Sequence, residues 1–446
     1  MKSLHMFLRF AMVGGLILLL LVPLMLIRSV ITDRSAYRDA AYQRVADSRA
    51  GSQQLVGPVR VVPWTERRTV DVLDKAGRSR SEVQITRGHW LQMPQTLQMD
   101  GRMLPDQRRV GLFKVPVYSW QGSMHAVFAA DTYPVRPGRT YGTPYLAVGI
   151  SDVRGLVGSP RLRVDGGLLL LRPGTGEASE LGRGLHASLA GFVDASGGTL
   201  PASTVALELQ LDGSRSLSVV PVGEDNRIAL RSDWPHPSFS GAFLPSQRHV
   251  DAQGFQASWA VSSLASDAQR QLRAGDAALQ AIQVSLVDPV DVHTQADRAS
   301  KYGILFVVLT FTGFLLFELV RQLRIHPLQY LMVGLALAIF FLLLVSLSEH
   351  IAFWKAYLVS TLACIGLQAV YLAHVLGRWT RGLGFAALLG LLYGALYGLL
   401  VSEDNALLMG SLLLFGLLAL AMVFTRRVDW YALGSQRRAD QYPHGS

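Results

Sequence analysis

Six stretches of the chain are apolar over the length a bilayer demands, and between the first and second the pattern alternates instead. The first stretch, Ala11 to Ile27, carries no charge over 17 residues; Lys2 and Arg9 precede it and Arg28 follows at once. No small-x-small cleavage pattern comes after it, so it predicts an uncleaved signal anchor. Five more runs crowd the C-terminal third: Tyr302 to Val320, Leu328 to Leu347, Ile351 to Leu376, Leu383 to Val401 and Ala406 to Phe424. Each is close to the ~20 residues that a ~30 Å hydrocarbon core requires. The pattern predicts six transmembrane helices, one N-terminal and five C-terminal.

Between the first and second runs the period changes. Ile31 to Gly51 is charged and Ala-rich and predicts a helical stalk continuing the first span, ending near Gly51. From there to residue 261 the chain offers roughly a dozen short β-branched runs separated by Gly and Pro, among them Arg68 to Leu73, Val110 to Tyr118, Val205 to Leu211 and Phe255 to Val261. Such a series favours antiparallel sheets packed as a sandwich. Three helices are expected to interrupt it, at Gly184 to Ala190, Asp267 to Leu272 and Val292 to Lys301. The expected division is 1–30 for the cytoplasmic end and anchor, 31–300 for a mainly-β periplasmic domain, 301–425 for a five-helix bundle and 426–446 for a cytoplasmic tail.

Charge orients the spans. With the N-terminus cytoplasmic, Arg321 and Arg324, Arg378 and Arg381, and the tail with Arg426, Arg427, Arg437 and Arg438 all fall inside. The opposite turns, Ser348-Glu349-His350 and Ser402 to Asn405, hold no Lys or Arg. This is the positive-inside distribution, and it puts both termini in the cytoplasm. Residues 31–300 contain 29 Lys plus Arg against 26 Asp plus Glu, so the net charge of +10 resides mostly at membrane edges. That excess is no nucleic-acid footprint. Cys364, the single cysteine, lies in a span, so the exported part must hold together by burial alone.

Candidate chemistry in the spans is sparse. Tyr357, Thr361, Cys364, Gln368 and Tyr371 recur at steps of four and three and share one helical face, either a polar pathway or a set of interhelical hydrogen bonds. Lys355 lies off that stripe, able to pair with Glu349 or to reach the membrane surface. Glu318 and Arg321 form a possible intrahelical pair near the cytoplasmic edge. Gly382, Ala386, Gly390, Gly394 and Gly398 repeat every fourth position, a pattern that lets another helix approach closely, within the monomer or in a homo-oligomer. Ser346 and Glu349 have the spacing of a capping box at the start of the fourth span, a theme that Ser402 to Asn405 repeats before the sixth. Glu349 and His350 are also the polar groups nearest the exported domain, where a cation or basic ligand could dock.

The exported part has no G-x-S-x-G, H-E-x-x-H, P-loop or dinucleotide fingerprint, and its histidines show no ligand spacing. No cofactor or metal is expected. The segment Trp234 to Pro245, including Phe239, is rich in Pro and aromatics and predicts a fixed loop packed on the sheet, with ligand binding as the sharper alternative.

Several segments in order carry a resemblance: Gly57-Pro58 with Val62-Pro63-Trp64, Arg108 to Phe113 with Val117-Tyr118, Trp234 to Pro245, Gly254 to Trp259, Asp297 to Tyr302, Arg324 to Tyr330, and Ser348 to Ile351. From about residue 50 to Tyr431 the chain resembles the CreD inner-membrane proteins. The resemblance implies a Gram-negative cytoplasmic-membrane protein with a periplasmic domain, tied to envelope integrity, colicin tolerance and the response to β-lactam stress under a two-component system. It implies no catalytic residues.

Two functions follow as expectations. One is a non-enzymatic scaffold in the lipid bilayer whose β domain binds a periplasmic or membrane protein partner. The other is a transporter or channel-like protein using the polar face of the fourth span, although no interrupted helix pair or internal symmetry supports it.

Overall fold

The computed structural model describes residues 2–73, 79–111, 113–192, 198–286, 292–321, 326–375, 379–401 and 406–425. They divide into two compact units: Met1–Arg38 with Val290–Ser446, and Asp39–Pro289.

The first unit is helical. The helix α1 spans Lys2–Ser48, and all but its last ten residues belong to this unit. The helix α2 (Ala268–Ala274) belongs to the other unit. Here follow α3 (Val292–Arg321), α4 (Pro327–Ser348), α5 (Phe353–Val375), α6 (Trp379–Val401) and α7 (Ala406–Thr425). Among the described residues four helices are long and apolar enough to cross a membrane, within α1, α4, α5 and α6, whereas α3 contributes a shorter apolar stretch, Lys301–Phe314. That count is four against the six apolar runs of the sequence.

Local chemistry starts α4 cleanly. The His326 ring accepts from the Leu328 N–H at 3.3 Å, the Gln329 side chain accepts from the His326 N–H at 3.1 Å, and Pro327 occupies the first turn, where its missing N–H costs nothing. The bundle is held by aromatic packing. Tyr393 of α6 meets Phe340 of α4 and Phe306 of α3 edge-on, with ring centroids 4.7 and 4.8 Å away. Phe314 of α3 lies 4.5 Å from Tyr330 of α4 and 4.9 Å from Phe385 of α6. All these rings are buried.

The second unit is mainly β. One nine-stranded sheet runs in the order 172–173, 184–188, 145–150, 53–73, 216–220, 282–286, 237–241, with 79–92 and 139–141 also pairing to the strand 53–73. The other, of eight strands, runs 247–251, 254–262, 225–232, 96–110, 113–128, 203–214, 156–164, 167–169. Inward residues of both, such as Leu55 and Val148 from the first and Met99 and Trp120 from the second, join one core, as a sandwich requires. The buried Trp120 indole lies across Gly101 and Gly122, which face each other on neighbouring strands; a Cβ on either would come within 2.1 Å of it.

Two expectations are corrected. Gly184–Ser188 is a strand, not a helix, because it pairs with Tyr145–Ile150 so closely that a Cβ on Gly184 would sit 1.9 Å from the Val148 carbonyl oxygen. The strands are also longer than the dozen short runs suggested. Gln53–Leu73 has 21 residues, and beyond Glu66 it pairs only with the strand Ser79–Gln92. Both faces of that hairpin arm meet solvent: Val83 and Ile85, which alternate with polar residues along it, are 59% and 56% exposed, so the alternation there marks no buried face. The expected helices at 267–272 and 292–301 fall within α2, which starts one residue later, and α3.

Candidate functional site

The residues singled out in the sequence fall into three places. The first is the turn after α4. Ser346 lies inside α4 and Glu349 is its C-cap, so the pair does not form a capping box at the start of α5: the helix continues past the end of its apolar run. A carboxylate at a helix C-terminus opposes the dipole, and a cation compensates it here. Arg34 of α1 places Nε 3.3 Å from the Glu349 carboxylate, which is only 12% exposed. His350 is exposed, with its Nδ1 3.2 Å from the Ser346 carbonyl oxygen. Lys355 is exposed as well, its ammonium 5.4 Å from the Trp354 ring, and it does not pair with Glu349. Ser402 to Asn405 and the side chain of Glu318 lie outside the described residues.

The second place is the polar face of α5, which turns into the bundle. Tyr357 donates to the Tyr393 carbonyl of α6 at 2.6 Å, and the Cys364 thiol lies 3.6 Å from the Ala336 carbonyl of α4. Gln368 is buried with neither amide atom partnered among the described residues, and Tyr371 is 37% exposed. The small-residue stripe of α6 divides along its length. A Cβ on Gly382 would come within 2.9 Å of Ala373 Cα on α5, and one on Gly398 within 3.1 Å of Met409 on α7, whereas Gly394 has nothing within 4 Å. A Cβ on Gly390 would lie 4.0 Å from Ile365, ordinary contact distance, and Ala386 is half-buried.

The third place is the segment from Trp234. Instead of a loop throughout, Pro237–Gly241 forms an outer strand of the first sheet, because Phe239 packs edge-on against Phe255 and Trp259, with centroids 5.6 and 5.9 Å away. The Trp234 indole N–H donates to the His236 carbonyl at 3.0 Å, which fixes the approach to that strand.

Sequence reasoning missed a fourth arrangement, the clamp at the end of α1. Arg49 directs Nε and Nη2 at Asp212 Oδ2, 2.8 and 2.6 Å away, on the strand Ser203–Ser214. Arg154 donates to the exposed Asp47 and Ala46 carbonyls at 2.8 and 3.3 Å, satisfying groups that a helix C-terminus leaves open. The same guanidinium grips Asp152 through Nε at 2.9 Å and Nη2 at 2.6 Å, and this bond holds the Asp152 carboxyl below its ordinary pKa. Arg215 lies over the Tyr42 ring at 4.2 Å, and Val45 packs on Val115 and Val117. Gly155 closes the clamp, since a Cβ there would sit 2.2 Å from the Asp212 carbonyl oxygen. The only local trace in the sequence is Asp152-x-Arg154, too short to notice.

Elsewhere in the same unit Arg60 is 1% exposed and donates to Gln92 Oε1 at 3.0 Å and the Pro201 carbonyl at 2.8 Å, with Ser203 as a further partner and the Phe128 ring 4.7 Å below. Burial pulls its pKa down to about 10. Among the described residues no group of three His, Cys, Asp or Glu is placed to hold a metal.

Apolar helices long enough to cross a bilayer, joined in one chain to a large mainly-β domain, define a multi-pass membrane protein. The sequence profile of the family described as Inner membrane protein CreD matches residues 5–431. The Inner membrane protein CreD of Escherichia coli (strain K12) is 38% identical over 427 residues, covering 94% of this chain and 92% of that protein. The chain therefore belongs to the CreD family of inner membrane proteins.

Proposed function

We propose that this protein supports envelope integrity as a non-enzymatic scaffold: six spans hold it in the inner membrane with both termini cytoplasmic, and residues 31–300 meet a protein partner in the periplasm. The observation that carries this reading is the clamp. The last ten residues of α1 belong to the β unit, where Arg49 and the closing carbonyls of the helix are fastened by Asp212 and Arg154. Such fastening suits a protein that bears or senses load on its exported part. On the polar face of α5, Tyr357 and Cys364 spend their polar groups on neighbouring helices, which leaves the buried Gln368 amide as the residue on which a transport reading rests.

Photo-crosslinkers at Val83 and Leu168, 59% and 70% exposed, are expected to trap an envelope protein in living cells. Adducts absent from these and other exposed positions, together with loss of the β-lactam-stress phenotype in Gln368→Leu at normal protein level, would overturn the scaffold in favour of a bundle-centred activity.

A further inference from the structure

The β unit carries a cleft of about 550 Å³ whose lining includes five glutamines, three serines and no ionisable residue. Its floor is a single cross-strand row. In register, Gln54 neighbours Ser218, Ser218 neighbours Gln283, and Gln283 neighbours Ser240. The flanking residues Leu55, Leu217, Val219 and Ile282 are buried in the core, so by the two-residue period of a strand this row points outward. Across four strands it extends about 14 Å.

The wall is built so that its amides have one orientation. Gln271 of α2 accepts from the Gln280 N–H through Oε1 at 2.9 Å, and Gln280 accepts from the Asp267 N–H through Oε1 at 2.9 Å. Both oxygens being occupied by backbone donors, each side chain is left with an NH₂ to offer. On the floor Gln283 donates one N–H of Nε2 to Ser285 Oγ at 3.3 Å, which fixes the amide and leaves it Oε1 as an acceptor and its second N–H as a donor. Gln54 and Ser218 line the cleft as well and add groups that both donate and accept.

We propose that this cleft binds an uncharged oligosaccharide. A sugar hydroxyl donates and accepts at one atom, which is what a lining of oriented amides and hydroxyls can match; a phosphate or carboxylate ligand would find no cation there. An extended peptide is the poorer match. Peptide addition to a sheet uses a free backbone edge; the central floor strands Ser216–Val220 and Ile282–Leu286 are paired on both sides, so a peptide could add only along the outer strand Pro237–Gly241, at the rim of the cleft and not over its amide row. Leu279 and Ala281 supply the apolar contact for the C–H face of a ring.

The inference is independent of the scaffold reading, because a ligand here requires no protein partner. Full-length protein in lipid nanodiscs would be titrated with an N-acetylglucosamine oligomer and a cello-oligosaccharide, followed by saturation-transfer NMR and calorimetry. A cationic glucosamine oligomer and an uncharged peptide serve as controls. Saturable binding of a neutral sugar is expected, weakened about tenfold by Gln283→Leu or Gln54→Leu, each removing one hydrogen-bonding group, with thermal unfolding unchanged. No saturation with either neutral sugar would overturn the proposal. So would binding that survives the double variant Gln54→Leu/Gln283→Leu, or a preference for the peptide or the cationic oligomer.

Discussion

Cutting the Arg49–Asp212 clamp from either side should give unequal losses. The Asp212 side chain is 8% exposed and its Oδ1 is buried without a partner, whereas Arg49 is 41% exposed. Arg49→Ala strands a carboxylate in a dry site, so the cost approaches that of an uncompensated buried charge, about 3 kcal/mol. Asp212→Ala releases a guanidinium that water can reach, so only the charge-assisted bond is lost, about 1 to 2 kcal/mol. In the double variant the buried charge is gone, and its cost should return to that of Asp212→Ala alone. Tryptophan fluorescence during thermal or denaturant unfolding reads this well, because Trp64, Trp90, Trp120, Trp234 and Trp259, five of the eight tryptophans, lie in the β unit. If Asp212→Ala proves the more damaging change, or the two single losses simply add, the buried-carboxylate argument is wrong.

Other outcomes follow from the same geometry. Asp152 has its pKa depressed, first by the Arg154 bond, so the stability it contributes is present above its unfolded pKa, near 3.8, and lost as pH falls through the lower folded value. Arg154→Ala should therefore move the acid limb of an unfolding profile to higher pH. Gly382→Ala should destabilise the bundle by about 1 to 3 kcal/mol because Ala373 and the Ala369 carbonyl occupy the space, while Gly394→Ala, with nothing within 4 Å, should be silent in detergent melting. Arg34→Ala should cost more than Glu349→Gln in the same assay, because it leaves a 12%-exposed carboxylate at a helix C-terminus with no cation.

Much of this protein is legible in its order of residues. A bilayer imposes a local rule, about 20 apolar residues per crossing, so Leu328 to Leu347 and Leu383 to Val401 announce α4 and α6 directly. Turn residues and β-branched runs likewise declare a mainly-β domain between residues 51 and 286. The family is recognisable from motifs in order and is shown by the match over residues 5–431.

What the tertiary structure alone decided are pairings at long range. Arg49 and Asp212 stand 163 positions apart, and nothing near either marks the other. Ser346 and Glu349 have cap spacing, yet α4 runs on through Ser346 to Ser348 and Glu349, its C-cap, meets Arg34 of α1. Gly184–Ser188 is a strand because Tyr145–Ile150 accepts it as a neighbour. The glutamine cleft exists only because register aligns Gln54, Ser218 and Gln283 on one outer face. Burial and span length are properties of a segment and its solvent, which sequence carries; register, ion pairing and clefts belong to pairs of segments, and those are settled when the sheets close on their shared core.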